Sequence, residues 1–338
     1  MGNKLQDIIN TPRVNEIMIN GPEEIFIEKN GQMIQVAEKV TPEEIQQLVA
    51  LLLKELNKSA DKNKDEYIIE GQISSLGRVN IIFPPLVLNG PVITIRKYSQ
   101  KIEKITSETT MFGLTPQTAI FLKHLIKSRF NILLSGGTGT GKTTLLNMMI
   151  DSIPLSERII TIEDTRELQK TLPNIVQLFT CEGIHITHPI SMMDLVKNAL
   201  RMRPDRIIIG EVRGVEVATF LQATNTGHDG SMCSIHASSA IEAIKRVEML
   251  YMMNKLEIPL KAIRNQISMG IHFIVQLTRT KNFERKIEKI IEITGIEGDQ
   301  ILTQTIAELK GSILTLTGIV PQRIDELVAQ GLPEGFFR

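Results

Sequence analysis

Eight consecutive residues, Gly136-Gly137-Thr138-Gly139-Thr140-Gly141-Lys142-Thr143, carry the spacing GxxxxGK[ST] of a phosphate-binding loop. The chemistry of that spacing is anion capture. Glycines let the backbone curl so that successive N–H groups point at one phosphate. A helix beginning there adds the positive end of its dipole. Lys142 supplies a point charge for the β- and γ-phosphates, and Thr143 supplies a hydroxyl for Mg²⁺. The flanks agree: 131–135 predicts a short buried strand and 143–152 a helix. That strand–loop–helix context separates a working loop from a chance glycine turn. Gly137, Thr138, Gly139, Thr140, Gly141, Lys142, Thr143 and Thr144 are therefore the candidate nucleotide-binding residues.

A phosphate loop does not distinguish motor, kinase or switch; the acids downstream narrow it. The apolar runs 158–163 and 206–210 predict buried strands that end in Glu163-Asp164 and Glu211. Open α/β sheets place ligand chemistry at the carboxyl ends of their strands, the end where the loop also lies. One carboxylate can hold Mg²⁺ or its water shell while the other polarises water for in-line attack on the γ-phosphate. Glu163 and Glu211 are the candidates for both roles, beside Thr143 for the metal and Lys142 for catalysis. The bland alternative is that these acids only solvate strand ends. His228 and His236 bracket the predicted strand 231–235, and one of them is expected to reach the γ-phosphate. No [NT]KxD base-reading motif follows the loop, which disfavours a GTP switch.

The elements that must position these residues fall into two blocks. From 131 onward the pattern alternates strand and helix, as in a parallel α/β sheet. Strands are expected at 131–135, 158–163, 206–210 and 231–235, and helices near 143–152, 191–202, 214–225 and 238–254. Further strands are expected over 271–316 and a short helix near 321–330. Ahead of these, Thr115-Pro116-Gln117 caps a helix that runs to about Lys127. The N-terminal block, 1–98, reads as a small α+β domain. It has strands near 14–20 and 25–29, a hairpin signal at Asn30-Gly31 and a helix from Thr41-Pro42 to about Leu56. Then come a polar loop at 57–65 and strands at 67–69, 78–82 and 92–96. Residues 99–115 read as a linker, and 116–338 as the second domain.

The chain has 338 residues, about two domains at the usual ~100–200 residues each. Hydrophobic residues make up 42%, enough for real cores. Lys plus Arg and Asp plus Glu are both 38, so no global basic field supports a duplex-binding role. Three tyrosines and no tryptophan offer no stacking-rich groove for a single strand. No run approaches the ~18–20 apolar residues of a membrane span, and Met1–Arg13 lacks a signal-peptide core. A cytoplasmic location is expected, with any membrane location arising through a partner. The two cysteines, Cys181 and Cys233, form no CxxC pair, which excludes a four-cysteine zinc site. Cys181, His185 and His188 cluster in sequence, but no fourth ligand lies nearby; a surface loop is the plainer reading.

Four ordered motifs together resemble the type II/type IV secretion ATPases. They are Gly136–Thr143 (Walker A), Ile162–Leu168 (Asp box), Arg203–Gly214 (Walker B) and Thr226–Gly230 with Ser234–Ala237 (His box). The N-terminal segments Asn15–Gly21 and Gly90–Lys97 are also similar to that family. The run Leu195–Pro204 looks most like the CpaF/TadA branch of Flp/Tad pilus assembly, with conjugation-type secretion ATPases next. The resemblance implies a RecA-like P-loop NTPase domain preceded by a small α+β domain. It implies a hexameric ATPase that uses ATP and Mg²⁺ and works with an inner-membrane platform protein at the cytoplasmic face. Arg78 and Arg96 look like N-terminal-domain arginines that close on phosphates, while Arg213, with Arg201 and Arg203, is a candidate for charge neutralisation. Gln72 stands where the family's N-terminal loop commonly has arginine, Cys233-Ser234 replaces a common threonine, and the long leading extension of many CpaF-type members is not seen. A nucleotide-gated scaffold with little turnover is the alternative from another class.

Overall fold

The computed structural model describes residues 4–12, 14–29, 32–58, 67–98, 104–169, 172–180, 189–254 and 257–337. The chain divides into two compact units, residues 1–101 and 102–338.

The first unit contains α1 (Lys4–Asn10), β1 (Val14–Gly21), β2 (Glu24–Lys29), β3 (Gln32–Gln35), α2 (Pro42–Glu55), β4 (Ile68–Ile73), β5 (Gly77–Ile82) and β6 (Val92–Lys97). Its strands form one sheet in the order β3-β2-β1-β6-β5-β4, with antiparallel neighbours. Alternation decides the faces. Val79, Ile81, Ile93 and Ile95 are buried against α1 and α2, so Arg78 and Arg96 stand on the other face. The helix α2 starts as its sequence requires: Thr41 accepts from the Glu44 amide, the Glu44 carboxylate accepts from the Thr41 amide, and Pro42 fills the first turn. Lys29 pairs with Gln32 across the β2–β3 connection. The Asn30-Gly31 step itself, and the loop from 59 onward, lie outside the described residues.

The second unit begins earlier than residue 116. Ile105, Phe112 and Leu114, within the expected linker, are buried in its core, because the Phe112 carbonyl accepts from the Ile287 amide and ties this segment to a strand. The elements are α3 (Pro116–Lys127), β7 (Ile132–Gly136), α4 (Lys142–Ile150), β8 (Ile159–Glu163), β9 (Ile175–Phe179), α5 (Met192–Ala199), β10 (Arg206–Ile209), α6 (Glu216–Thr224) and β11 (Met232–Ile235). They continue with α7 (Ala240–Met252), α8 (Leu260–Gly270), β12 (Phe273–Arg279), β13 (Arg285–Glu297), β14 (Gln300–Lys310), β15 (Ile313–Leu316) and α9 (Ile324–Ala329). The α1, β9 and α8 elements were not expected from the sequence pattern.

The second sheet has nine strands in the order β15-β14-β13-β12-β7-β11-β10-β8-β9. From β12 to β9 neighbours are parallel, and from β12 to β15 antiparallel. Helices cover both faces. Ile132 and Leu134 of β7 pack into the core with α3 and α4, while Leu133 packs into the core with α5 to α8. Both faces being apolar explains why β7, β8 and β10 read as continuous hydrophobic runs. The arrangement puts β7 at the centre and its carboxyl end beside those of β11 and β12.

Candidate functional site

The loop between β7 and α4 is held by its own side chains. Thr140 Oγ1 donates to the Gly137 carbonyl at 2.8 Å, and Lys142 Nζ donates to the Gly136 and Gly137 carbonyls at 2.8 and 3.0 Å. Gly141 caps α4 at φ +94°, the left-handed region that residues with a Cβ rarely adopt. The first helical residues are therefore Lys142, Thr143 and Thr144, with their amides at the helix N-terminus and available to an anion.

The carboxylate that meets Thr143 is Glu167, a residue inside the Asp box that its sequence position alone does not single out. Thr143 Oγ1 donates to Glu167 Oε2 at 2.8 Å. Glu163 ends β8, is 3% exposed, and points its Oε1 at the Glu167 and Leu168 amides, 2.9 and 2.8 Å away. Its other oxygen, Oε2, is buried without a hydrogen-bond partner. Burial pushes the Glu163 carboxyl up to about 7 against the lowering effect of those two amides. Glu163 thus folds the 164–168 turn and sets the position of Glu167. Asn147 of α4 staples the same turn: Nδ2 donates to the Thr143 and Glu167 carbonyls, and Oδ1 accepts from the Gln169 amide. Gly210, beside Glu163 across the sheet, leaves the room this needs; a Cβ there would stand 3.0 Å from Glu163 Cγ. The signal for Glu167 was its place four residues after Glu163. The signal for Asn147 was a lone amide in an apolar helix.

The end of β10 supplies the second acid. Glu211 lies two residues past Ile209 and is gripped by Arg213, whose Nη2 and Nε lie 2.5 and 3.0 Å from Glu211 Oε2. Arg213 Nη1 also reaches Asp164 Oδ2 at 3.4 Å, joining the β8 and β10 ends. Glu216, buried at the start of α6, accepts from the Arg213 and Gly214 amides and fixes this corner. Ser234 Oγ donates to the Gly210 carbonyl at 2.6 Å, locking β11 to β10. His236 follows β11 at the same edge, one residue past the Ile235–Ser135 pair that leads into the loop, and is exposed.

Other expected residues lie elsewhere. His228 precedes β11, which runs parallel to β7, so it stands at the opposite edge of the sheet from the loop in the same chain. Of the two histidines that bracket this strand, His236 is the one at the edge of the loop. At the opposite edge the His228 carbonyl accepts from Ser231 Oγ and the His228 amide donates to the Ala223 carbonyl. Arg201 and Arg203 precede β10 and lie at that far edge too. Arg78 and Arg96 are register partners on β5 and β6 of the first unit, paired with Glu70 and Glu16. Cys181, His185 and His188 lie outside the described residues. Among the described residues no group of three or more His, Cys, Asp or Glu side chains could hold a metal alone.

A divalent cation bound through nucleotide phosphates needs only one or two protein oxygens, since Mg²⁺ keeps most of its water. The hydroxyl of Thr143 and the carboxylate of Glu167, 2.8 Å apart, are hard oxygen donors of that kind, so the donor set fits.

Residues 3–307 match the family model described as Type II/IV secretion system protein. A conjugal transfer protein TrbB of Rhizobium radiobacter is 32% identical over 314 residues, covering 92% of this chain and 93% of that protein. The protein VirB11 of Agrobacterium tumefaciens is 30% identical over 265 residues, covering 71% of this chain and 77% of that one. The crystal structure of the pilus retraction motor PilT with bound ADP superposes with a TM-score of 0.60 at 23% identity, over 82% of this chain and 77% of that chain. The fold is a RecA-like α/β unit preceded by a smaller N-terminal one.

Proposed function

Since the chain belongs to the type II/IV secretion system protein family, we propose that it hydrolyses ATP and works as the oligomeric motor of a conjugation-type secretion machine. The observation that carries this reading is the contact of Thr143 with Glu167 at the mouth of a phosphate loop that also presents Lys142. The TrbB and VirB11 relatives favour the conjugation-type reading over Flp/Tad pilus assembly. A hexameric ring, a cytoplasmic station and an inner-membrane platform partner belong to the same proposal. No helix of the described residues is long and apolar enough to cross a membrane.

In this reading the loop amides and Lys142 neutralise the β- and γ-phosphates, and Thr143 and Glu167 would hold Mg²⁺. The bound metal would supply charge neutralisation at the phosphates. Glu211, oriented by Arg213, accepts a proton from the attacking water. Glu163 acts through Glu167 as a positioning residue, and His236 lies at the edge where a γ-phosphate would be sensed.

Phosphate release by single variants tests the assignment. Glu167→Gln and Glu211→Gln should each cut kcat by about 100-fold or more, the scale of lost general-acid–base or metal-positioning groups, with ADP affinity kept. Glu163→Gln preserves an acceptor for both amides and should retain turnover within about tenfold. Normal turnover in both Glu167→Gln and Glu211→Gln would defeat the assignment.

A further inference from the structure

A buried glutamine stands directly behind the phosphate loop on the neighbouring strand. Gln276 of β12 is 2% exposed and is the register partner of Ser135, the residue before Gly136. Strand alternation puts both side chains on the sheet face of Leu133 and Ile274, which pack into the core with α5 to α8. The residues around Gln276 on β12 are apolar and buried: Phe273, Ile274, Val275 and Leu277. Gln276 Oε1 and Ser135 Oγ are buried with no hydrogen-bond partner within the protein. A polar atom buried unpaired destabilises a fold, so packing alone would favour an apolar side chain at 276.

The glutamine amide holds backbone that touches the loop. Gln276 Nε2 donates to the Leu277 carbonyl at 3.2 Å. That carbonyl stands against the first glycine of the loop. Leu277 and Gly136 are register partners, and a Cβ on Gly136 would lie 2.9 Å from the Leu277 oxygen. The Gly136 carbonyl in turn accepts from Lys142 Nζ at 2.8 Å. On its other side β12 is irregular at the same point. The register steps from Gln276–Lys289 to Leu277–Ile287, which leaves Glu288 of β13 without a partner on β12. An extra residue of this kind disrupts the ladder locally. The direction of the Leu277 carbonyl then depends on the amide beside it.

We propose that Gln276 is a positioning residue for phosphate cleavage, acting through the Leu277 carbonyl and Gly136 on the placement of Lys142. The inference rests on the reading that the loop binds and cleaves ATP. The amides that begin α4 meet phosphate by a route that does not pass through Gly136. Losing the glutamine should therefore impair turnover more than nucleotide affinity.

Steady-state phosphate release, MgADP titration and thermal unfolding of the full chain test it in Gln276→Met and Gln276→Leu. Both substitutions roughly conserve volume and remove the amide. In each, kcat should fall about tenfold or more, the scale of a small displacement of a reacting group. The Kd for MgADP should stay within about threefold. The midpoint should stay within about 4 °C, because an unpaired oxygen is removed along with one hydrogen bond. Unaltered turnover in either variant overturns the proposal and leaves the loop's role standing. An affinity loss as large as the turnover loss, or a midpoint lowered beyond that range in both variants, also overturns it; the glutamine would then serve binding or folding alone. If the unaltered chain releases no phosphate at any concentration, the ATPase reading falls and this proposal with it.

Discussion

Glu163→Gln should make the second unit more stable at alkaline pH while leaving it unchanged near the carboxylate range. The side chain is 3% exposed, and burial raises its carboxyl from 4.5 to about 7. The unfolded chain releases this proton near 4.5, whereas the folded chain keeps it until about 7. Folding therefore takes up a proton between those values. The group's stabilising contribution is full below pH 4.5 and is lost as pH rises through 7. The interval of about 2.5 pH units, at 1.36 kcal/mol each, amounts to about 3 kcal/mol. Glutamine is neutral throughout and still offers an oxygen to the Glu167 and Leu168 amides. The difference between variant and unaltered protein should then be near zero at about pH 4.5 and approach about 3 kcal/mol at about pH 8. For a unit of this size that is roughly 6–12 °C in midpoint. Urea denaturation of both proteins across this range measures it. A difference that stays constant with pH would refute the reasoning, because it would mean that folding does not perturb this carboxyl.

Two further outcomes follow from the same packing. Gly210→Ala places a Cβ 3.0 Å from Glu163 Cγ, and displacing the Asp-box turn should lower kcat about tenfold or more while ADP affinity holds; steady-state phosphate release and ADP titration check this. Arg206 is fully buried and bound to Glu157 through Nε and Nη2 at 2.7 and 2.9 Å. Arg206→Met should cost about 3–5 kcal/mol in urea denaturation, and adding Glu157→Gln should recover part of it, because the loss comes from a largely buried carboxylate left with Arg129 alone, 3.3 Å away.

The loop, the strand order implied by alternating elements and the strand-end position of Glu163 were legible because each rests on local pattern. Continuous apolar runs mark β7, β8 and β10, and the acids follow them directly. What a carboxylate touches depends on the turn after it, and no periodicity reports that. Glu163 looks like the reacting acid in one dimension; in three dimensions its oxygen faces backbone amides and Glu167 takes the hydroxyl of Thr143. The separation of His228 from the loop has a related cause. Residues on either side of one strand sit at opposite edges of a parallel sheet, so two histidines bracketing β11 cannot share a phosphate in one chain. The α8 helix was missed because its buried positions, Ile263, Ile267 and Gly270, are too few to stand out from its polar residues. The segment 104–114 reads as linker because its three buried apolar residues follow no regular period.

Steady-state ATP hydrolysis against protein concentration, with Lys142→Ala alongside, tests the central claim most directly. Activity per chain that rises with concentration, depends on Mg²⁺ and vanishes in Lys142→Ala is the outcome expected of an assembled ATPase. Turnover that persists undiminished in Lys142→Ala, or none at any concentration from a chain that binds MgATP, would contradict it.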